Sequence, residues 1–293
     1  MSNPSISLKQ TAAQERRKMR KERTAVLRSN KAFIAGALLV GFWILCAIFG
    51  KMVVPQRPDY VDLFVTDLPP SGAHWFGTDG LGRDVFSRVI VGSREILVMA
   101  SLATIIGTAC GSAIGLVTGY FKGRFDMVVM RILDAISALP VLVIALLALS
   151  AVGGSSAIIT ILIIGFVFTP IIARTVRAAV LGESELDYVA AARLRTEKTP
   201  YILFKEILPN VLPPIVVEFT IRLGYAVFAI ATLSFLGVGV PLGSPNWGSQ
   251  VAENYSGIFI DTWWSTIFPA AAIATLAIGI NLIADSVMEA FEL

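Results

Sequence analysis

Three properties of this 293-residue chain predict an all-α, polytopic membrane protein with six transmembrane helices. Its residues are 55% hydrophobic and only 15% charged, with a mean hydropathy of +0.74. A soluble domain of this size carries nearer a quarter charged residues. Crossing a bilayer takes about 20 mostly apolar residues, and six such runs occur, at about 32–54, 95–120, 126–150, 155–178, 211–239 and 263–288. Finally, Lys and Arg gather in alternate gaps between these runs.

The chain divides into a basic N-terminal tail (1–31), a first span with its following loop (32–94), and a core of five spans (95–293) containing a polar loop at 179–210. The tail, "KQTAAQERRKMRKERTAVLRSNK", precedes an apolar run too long for a signal-peptide core and lacking a small-residue cleavage pattern, so no cleavable leader is predicted. The tail, residues 121–131 and residues 174–210 together hold 18 of the 24 basic residues. The positive-inside rule places them, with the C-terminus, in the cytoplasm. The loop at 55–94 strains that assignment with Arg57, Arg83, Arg88 and Arg94, although Asp59, Asp62, Asp67, Asp79, Asp84 and Glu95 offset them locally.

Within that loop, "WFGTDGLGRDVFSR" predicts a glycine turn leading into an amphipathic helix on the outer face. An EF-hand needs a longer acidic spacing and a terminal Glu, so metal binding is not expected. His74, the only histidine, has no partner in sequence for catalysis or metal binding and reads as structural. In the second span, Gly107, Gly111, Gly115 and Gly119 recur every four residues. Such small-residue spacing lets helix backbones approach closely in lipid and predicts a tight partner helix. Cys46 and Cys110 both fall inside spans and read as packing residues.

Ionisable groups inside spans are functional candidates by default. Asp134 lies in the third span, before a kink expected at Pro140. It is the only unpaired ionisable group expected well inside the membrane, either lining a pore or packing between helices. Glu218 and Arg222, four apart with Glu first, predict an ion pair in the fifth span. Asp285 marks the inner end of the sixth.

The stretch "ELDYVAAARLRTEKTPYILFKEILPN" (185–210) predicts two short helices, 183–196 and 199–207, joined by a turn at 196–198. Pro209 then stands near the start of the fifth span, where a missing N–H is harmless. Tyr188, Ala191, Ala192 and Arg195 share one side of the first helix. Small residues flanked by Tyr and Arg make a close-approach surface; a basic helix resting on lipid headgroups has the same pattern.

At "DYVAAAR…ILPN" the chain resembles the EAA loop of bacterial ABC-importer permeases. "HWFGTDGLGRDVFSRVIVGSR" (74–94), "SFLGVGVPLGSPNWG" (234–248) and "FPAAAIATLAIGINLIADSV" (268–287) resemble the dipeptide, oligopeptide and nickel branch of that family. The resemblance implies that the loop is a coupling helix docking on a separate ATPase, through Tyr188, Ala191, Ala192, Arg193, Arg195, Thr196, Leu208 and Pro209. It also implies a homologous permease partner, two cytoplasmic ABC ATPases that bind the ATP, and an extracytoplasmic solute-binding protein. Two positions depart from the family pattern: Ala190 stands where an acidic residue is usual, and Thr196 where a glycine is usual. Glycine there permits a left-handed turn, which Thr adopts only at a cost.

No G-x-x-x-x-G-K-[ST] occurs, so no ATP-phosphate cradle is expected in this chain, and one histidine rules out an H-E-x-x-H metal site. No Ser/His/Asp set is in evidence, so neither an enzyme nor a resident cofactor is expected. The basic tail beside a span reads as an orientation signal contacting anionic lipid, with no nucleic-acid role. The expected function is inward transport of short peptides across the bacterial cytoplasmic membrane. Import of nickel chelates or another small polar solute by the same machinery is the alternative, and a gradient-driven transporter the weaker one.

Overall fold

The computed structural model describes residues 27–152, 156–241 and 243–292. Most of the basic tail and the Gly153–Gly154 connection lie outside these. Helix α1 (Lys31–Val53) starts at Asn30, whose side chain accepts from the Ala32 and Phe33 amides at 2.8 and 3.2 Å. Helix α2 runs from Val85 to Phe121. Helices α3 (Gly123–Ser137) and α4 (Val141–Ala151) follow, then α5 (Ala157–Glu183) and the short α6 (Asp187–Leu194). Helix α7 spans Thr199–Phe235, and α8 (Trp247–Asn254) and a 3₁₀ turn (Tyr255–Ile260) lead into α9 (Trp264–Glu292). Among the described residues no strand forms, only an isolated bridge between Thr78 and Asp84.

Five helices are long and apolar enough to cross a membrane, and α3 with α4, a pair bent at a break, make a sixth if taken as one span. Asn30 Nδ2 donates to Glu289 Oε2 at 2.9 Å, so the start of α1 and the end of α9 lie at one end of the bundle. Alternation of the spans puts α6 at that same end, called the loop end below.

Three boundaries differ from the sequence reading. The second span begins at Val85, not 95, and no separate outer helix precedes it. Asp84 caps α2, accepting from the Ser87 amide at 2.8 Å and hydroxyl at 2.6 Å, and Val85 to Ser93 are buried apart from Phe86. The third span is not one kinked helix: α3 and α4 meet at 84°. Proline disfavours helical backbone at the residue before it, so the chain leaves the helix around Leu139 and restarts after Pro140. In the polar loop, the first helix is shorter than expected, and the second is continuous with the fifth span. Their junction is a π-helical turn, Ile202–Ile207, in which Leu208 N bonds Leu203 O. Widening just before Pro209 lets the helix pass a residue that has no N–H.

The glycine repeat finds its predicted partner in α5. A Cβ at Gly107, Gly111, Gly115 or Gly119 would lie within 2.7 to 2.9 Å of α5 atoms such as Gly165 O, Ile172 Cβ and Ala173 O. Carbon cannot be tolerated at that range, so only glycine allows this seam. Gly36 of α1 approaches Gly279 of α9 in the same way.

The end opposite the loop is closed by buried charge. Asp79 accepts from Arg83 Nε at 2.7 Å, and Arg83 Nη2 donates to Glu253 at 2.5 Å. Arg88, 1% exposed, donates to the carbonyls of Pro58, Gly243 and Ser244 at 3.1 to 3.4 Å and to Glu253 at 3.4 Å. The local acidic offset expected for Arg83 thus exists, but for Arg88 most partners are carbonyls far away in sequence. His74 has a buried partner after all: its Nδ1 lies 3.0 Å from Asp84 Oδ1, tying the outer loop to the α2 cap.

Candidate coupling site

Helix α6 projects from the loop end with two unlike faces. Val189 and Ala192 are 0% exposed and join the core that includes Val180, Ile202 and Ile207. Asp187, Ala190, Ala191, Arg193, Leu194 and Arg195 face outwards, and Leu194 is 86% exposed. Ala191 therefore sits on the available surface, whereas Ala192 does not. Its methyl packs inwards against this chain, because position 192 falls one turn from Val189 on the buried side. Leu194 and Leu186, both bare, complete an apolar outer face that helical spacing alone did not single out.

The helix and the residues flanking it are tied to the rest of the chain by polar contacts on three sides. Tyr188 Oη donates to the Glu183 carboxylate at the end of α5, and Asn210 Nδ2 of α7 donates to Tyr188 Oη at 3.0 Å. Asn210 Nδ2 also donates to Glu206 O at 3.0 Å. Burial, and then the Glu183 carboxylate, push the Tyr188 phenol up to about 12. Lys122, between α2 and α3, pairs with Glu185 and holds that carboxyl below its usual range. The Arg193 guanidinium lies 5.0 Å over the Tyr120 ring at the end of α2. Arg195 Nη2 donates to Glu206 Oε1 of α7 at 3.4 Å, and its Nε lies 3.7 Å from Glu197. Glu183, Glu185, Asn210, Tyr120 and Lys122 were not singled out from sequence. Only Asn210, the last letter of "ILPN", carried a signal.

Thr196 ends α6 in the left-handed conformation, at φ +56°. Thr196 N bonds Arg193 O at 2.9 Å and Glu197 N bonds Ala192 O at 3.2 Å, the paired bonds of a Schellman stop. The turn expected of glycine is therefore made by a β-branched residue. Its hydroxyl donates to Arg195 O at 2.7 Å. Leu208 is half-buried against the core and Pro209 exposed; both stand in α7 just past the π turn, one turn or less from Asn210.

Asp134 lies apart from this group, and it is not unpaired. Arg174 Nε of α5 stands 3.8 Å from Asp134 Oδ1, with the two side chains 46% and 51% exposed respectively. Nearby, Asp126 accepts two bonds from Arg177, each 2.5 Å, and Glu218 accepts from Arg222 Nε at 3.0 Å and Thr175 Oγ1 at 2.8 Å. Among the described residues no group of three or more metal-ligating side chains converges.

The helices long enough to cross a membrane, the broken third span and the two-faced loop-end helix describe a polytopic membrane protein, and comparison with known proteins gives its class. The chain belongs to the family of binding-protein-dependent transport system inner membrane components, whose model matches residues 111–293. The N-terminal TM domain of oligopeptide transport permease C matches residues 19–70. A probable D,D-dipeptide transport system permease, DdpC of Escherichia coli K12, is 35% identical over 91% of this chain and 89% of its own. The dipeptide transport system permease DppC of Bacillus subtilis 168 is 35% identical over 91% of this chain and 83% of its own. Among solved structures, the MetNI methionine ABC transporter, in inward-facing conformations, matches with a TM-score of 0.57. That match is 20% identical and covers 70% of this chain and 96% of the other. The chain is thus a multi-pass inner-membrane permease of the ABC-importer class, and such permeases work with ATPase and solute-binding partners.

Proposed function

We propose that this chain is one of two homologous permease subunits in an importer of short peptides, driven by two cytoplasmic ATPases and fed by an extracytoplasmic binding protein. The observation that carries the reading is helix α6. It and its flanking residues are fastened to the chain through Tyr188, Glu185 and Arg193, while Ala190, Ala191 and Leu194 are left bare. A helix built this way transmits force from a docked partner, and a helix resting on lipid needs no such fastening. The loop end, with both termini, is cytoplasmic in this reading, in accord with its basic residues. ATP is held by the partners, and this chain performs no chemistry of its own.

Peptides are favoured as cargo because the named relatives include dipeptide permeases. The intramembrane charges fit that cargo: Asp126, Asp134 and Glu218 each face an arginine, so a zwitterion meets no net fixed charge from them. Half-exposed Asp134 and Arg174 are costly against lipid, so they face either the passage or the partner permease. Deleting the gene and measuring uptake of a labelled dipeptide, a labelled hexapeptide and labelled nickel tests the cargo. Loss of peptide uptake with nickel uptake intact is expected; the reverse result overturns it.

A further inference from the structure

Two of the contacts around α6 are directed at one place, the corner where α2 becomes α3. The corner is tight: Lys122 has φ +53° and Gly123 φ +70°, so the chain reverses within two residues. Arg193 reaches it at Tyr120 and Glu185 reaches it at Lys122. Above the corner, α2 is locked to α5 by the glycine seam, where a Cβ at Gly119 would lie 2.8 Å from Val180 Cβ. Helix α2 therefore has little freedom to slide.

Helix α3 is different. Only Asp126 and Leu133 of its fifteen residues are buried, and its ties to α5 are the ion pairs Asp126–Arg177 and Asp134–Arg174. Its far end is the 84° break before α4. A helix with little apolar burial within this chain, gripped at one end and broken at the other, meets little packing resistance to movement from the rest of the chain. It also carries Asp134 and adjoins an apolar surface pocket of about 330 Å³, open on one side and lined by Leu133, Ile136, Ile106, Cys110 and Phe166. That space gives α3 room to shift.

We propose that α3 is the element the coupling helix moves, with Arg193–Tyr120 and Glu185–Lys122 as the two contacts that transmit the motion and residues 138–140 as its hinge. This rests on the coupling reading of α6 given above. The competing route runs through α7, by way of Tyr188–Asn210 and Arg195–Glu206, and would leave α3 passive.

The test uses the whole transporter, purified from native membranes through a tag on this chain and placed in proteoliposomes. Cys46 and Cys110 are replaced by alanine, and Ser137→Cys beside the hinge reports labelling by an impermeant maleimide, without nucleotide and after trapping with ATP and vanadate. The expected change in labelling rate is about fivefold or more, the lower range for coupled sites. The variant Tyr120→Leu with Lys122→Glu should reduce it below about twofold while the ATPases still co-purify and hydrolyse ATP. Tyr120→Phe should retain the change, and adding Glu185→Lys to Lys122→Glu should restore it, which separates lost transmission from misfolding. An unaltered nucleotide response in the double variant, or no response in the parent, overturns the relay. Loss of the response on Tyr188→Phe with the corner variants normal assigns transmission to α7 and also overturns it. Absence of ATPases from the parent complex overturns the coupling reading itself, and the relay with it.

Discussion

The two ends of the bundle handle charge in opposite ways. At the end opposite the loop, Asp79, Arg83 and Arg88 are buried and held by partners from three separate stretches of chain. At the loop end, Glu185, Arg193 and Arg195 are exposed and Lys122 partly so, and each makes one or two contacts. A buried ion left without partners is expensive, so the first arrangement resists rearrangement. Exposed pairs contribute about 1 kcal/mol or less and exchange easily with water or with another protein. One end is a clasp; the other is an open, solvent-facing surface.

The largest predicted effect breaks the clasp. Arg88→Met deprives the Pro58, Gly243 and Ser244 carbonyls of their donor and should cost about 3–5 kcal/mol in thermal or urea unfolding of the detergent-solubilised protein. Arg195→Met at the loop end should stay within about 1 kcal/mol. Equal losses would erase the contrast. Next comes a pair of substitutions within α6. Ala192→Asp buries a carboxylate at a fully enclosed site and should destabilise the loop by about 2–5 kcal/mol, visible as new proteolytic cleavage between residues 184 and 198. Leu194→Asp leaves stability unchanged and should abolish ATPase co-purification. If both variants lose only the ATPase, the two-faced description of α6 is wrong.

A smaller loss is expected at the seam that rigidifies α2. Gly111→Val places its Cβ 2.7 Å from Ile172 Cβ and should cost about 1–3 kcal/mol, measured by unfolding. Smaller still is a gain at the loop end. Thr196→Gly removes the left-handed strain of a β-branched residue and should stabilise the loop by about 1 kcal/mol, seen as slower amide exchange over 192–198. The smallest effect is alkaline. Because the Tyr188 phenol is raised to about 12, its contribution is complete below its ordinary value near 10 and is lost as pH rises from there towards 12. The Tyr188→Phe variant should lose that part of the alkaline decline, followed by tyrosinate absorbance and unfolding together.

Much of the candidate site was legible in the sequence because its cues are local. The turn at 196–198 followed from local composition, while the resemblance to the family marked Thr196 as standing where glycine is usual, and the structure gives it φ +56°. The pairing of Glu218 with Arg222 followed from four-residue spacing on one helix. The contacts that fasten α6 were not legible. Tyr120 and Arg193 lie 5.0 Å apart in space yet belong to different spans and their loops, and no spacing rule links them. For the same reason Asp134 looked unpaired: its arginine is on α5.

The sequence by itself determined the all-helical membrane class, six crossings and the need for a close helix partner along Gly107–Gly119. Those follow from composition, length and periodicity, which act through the solvent and the backbone and do not depend on which helices become neighbours. Tertiary structure alone decided the rest. It chose α5 as the glycine partner, set the angle of the break expected at Pro140 to 84°, carried the second span back to Val85, and turned Ala192 inwards while leaving Ala191 bare. Each of these depends on what lies across a contact, and burial belongs to the assembled bundle, not to any single segment of the chain.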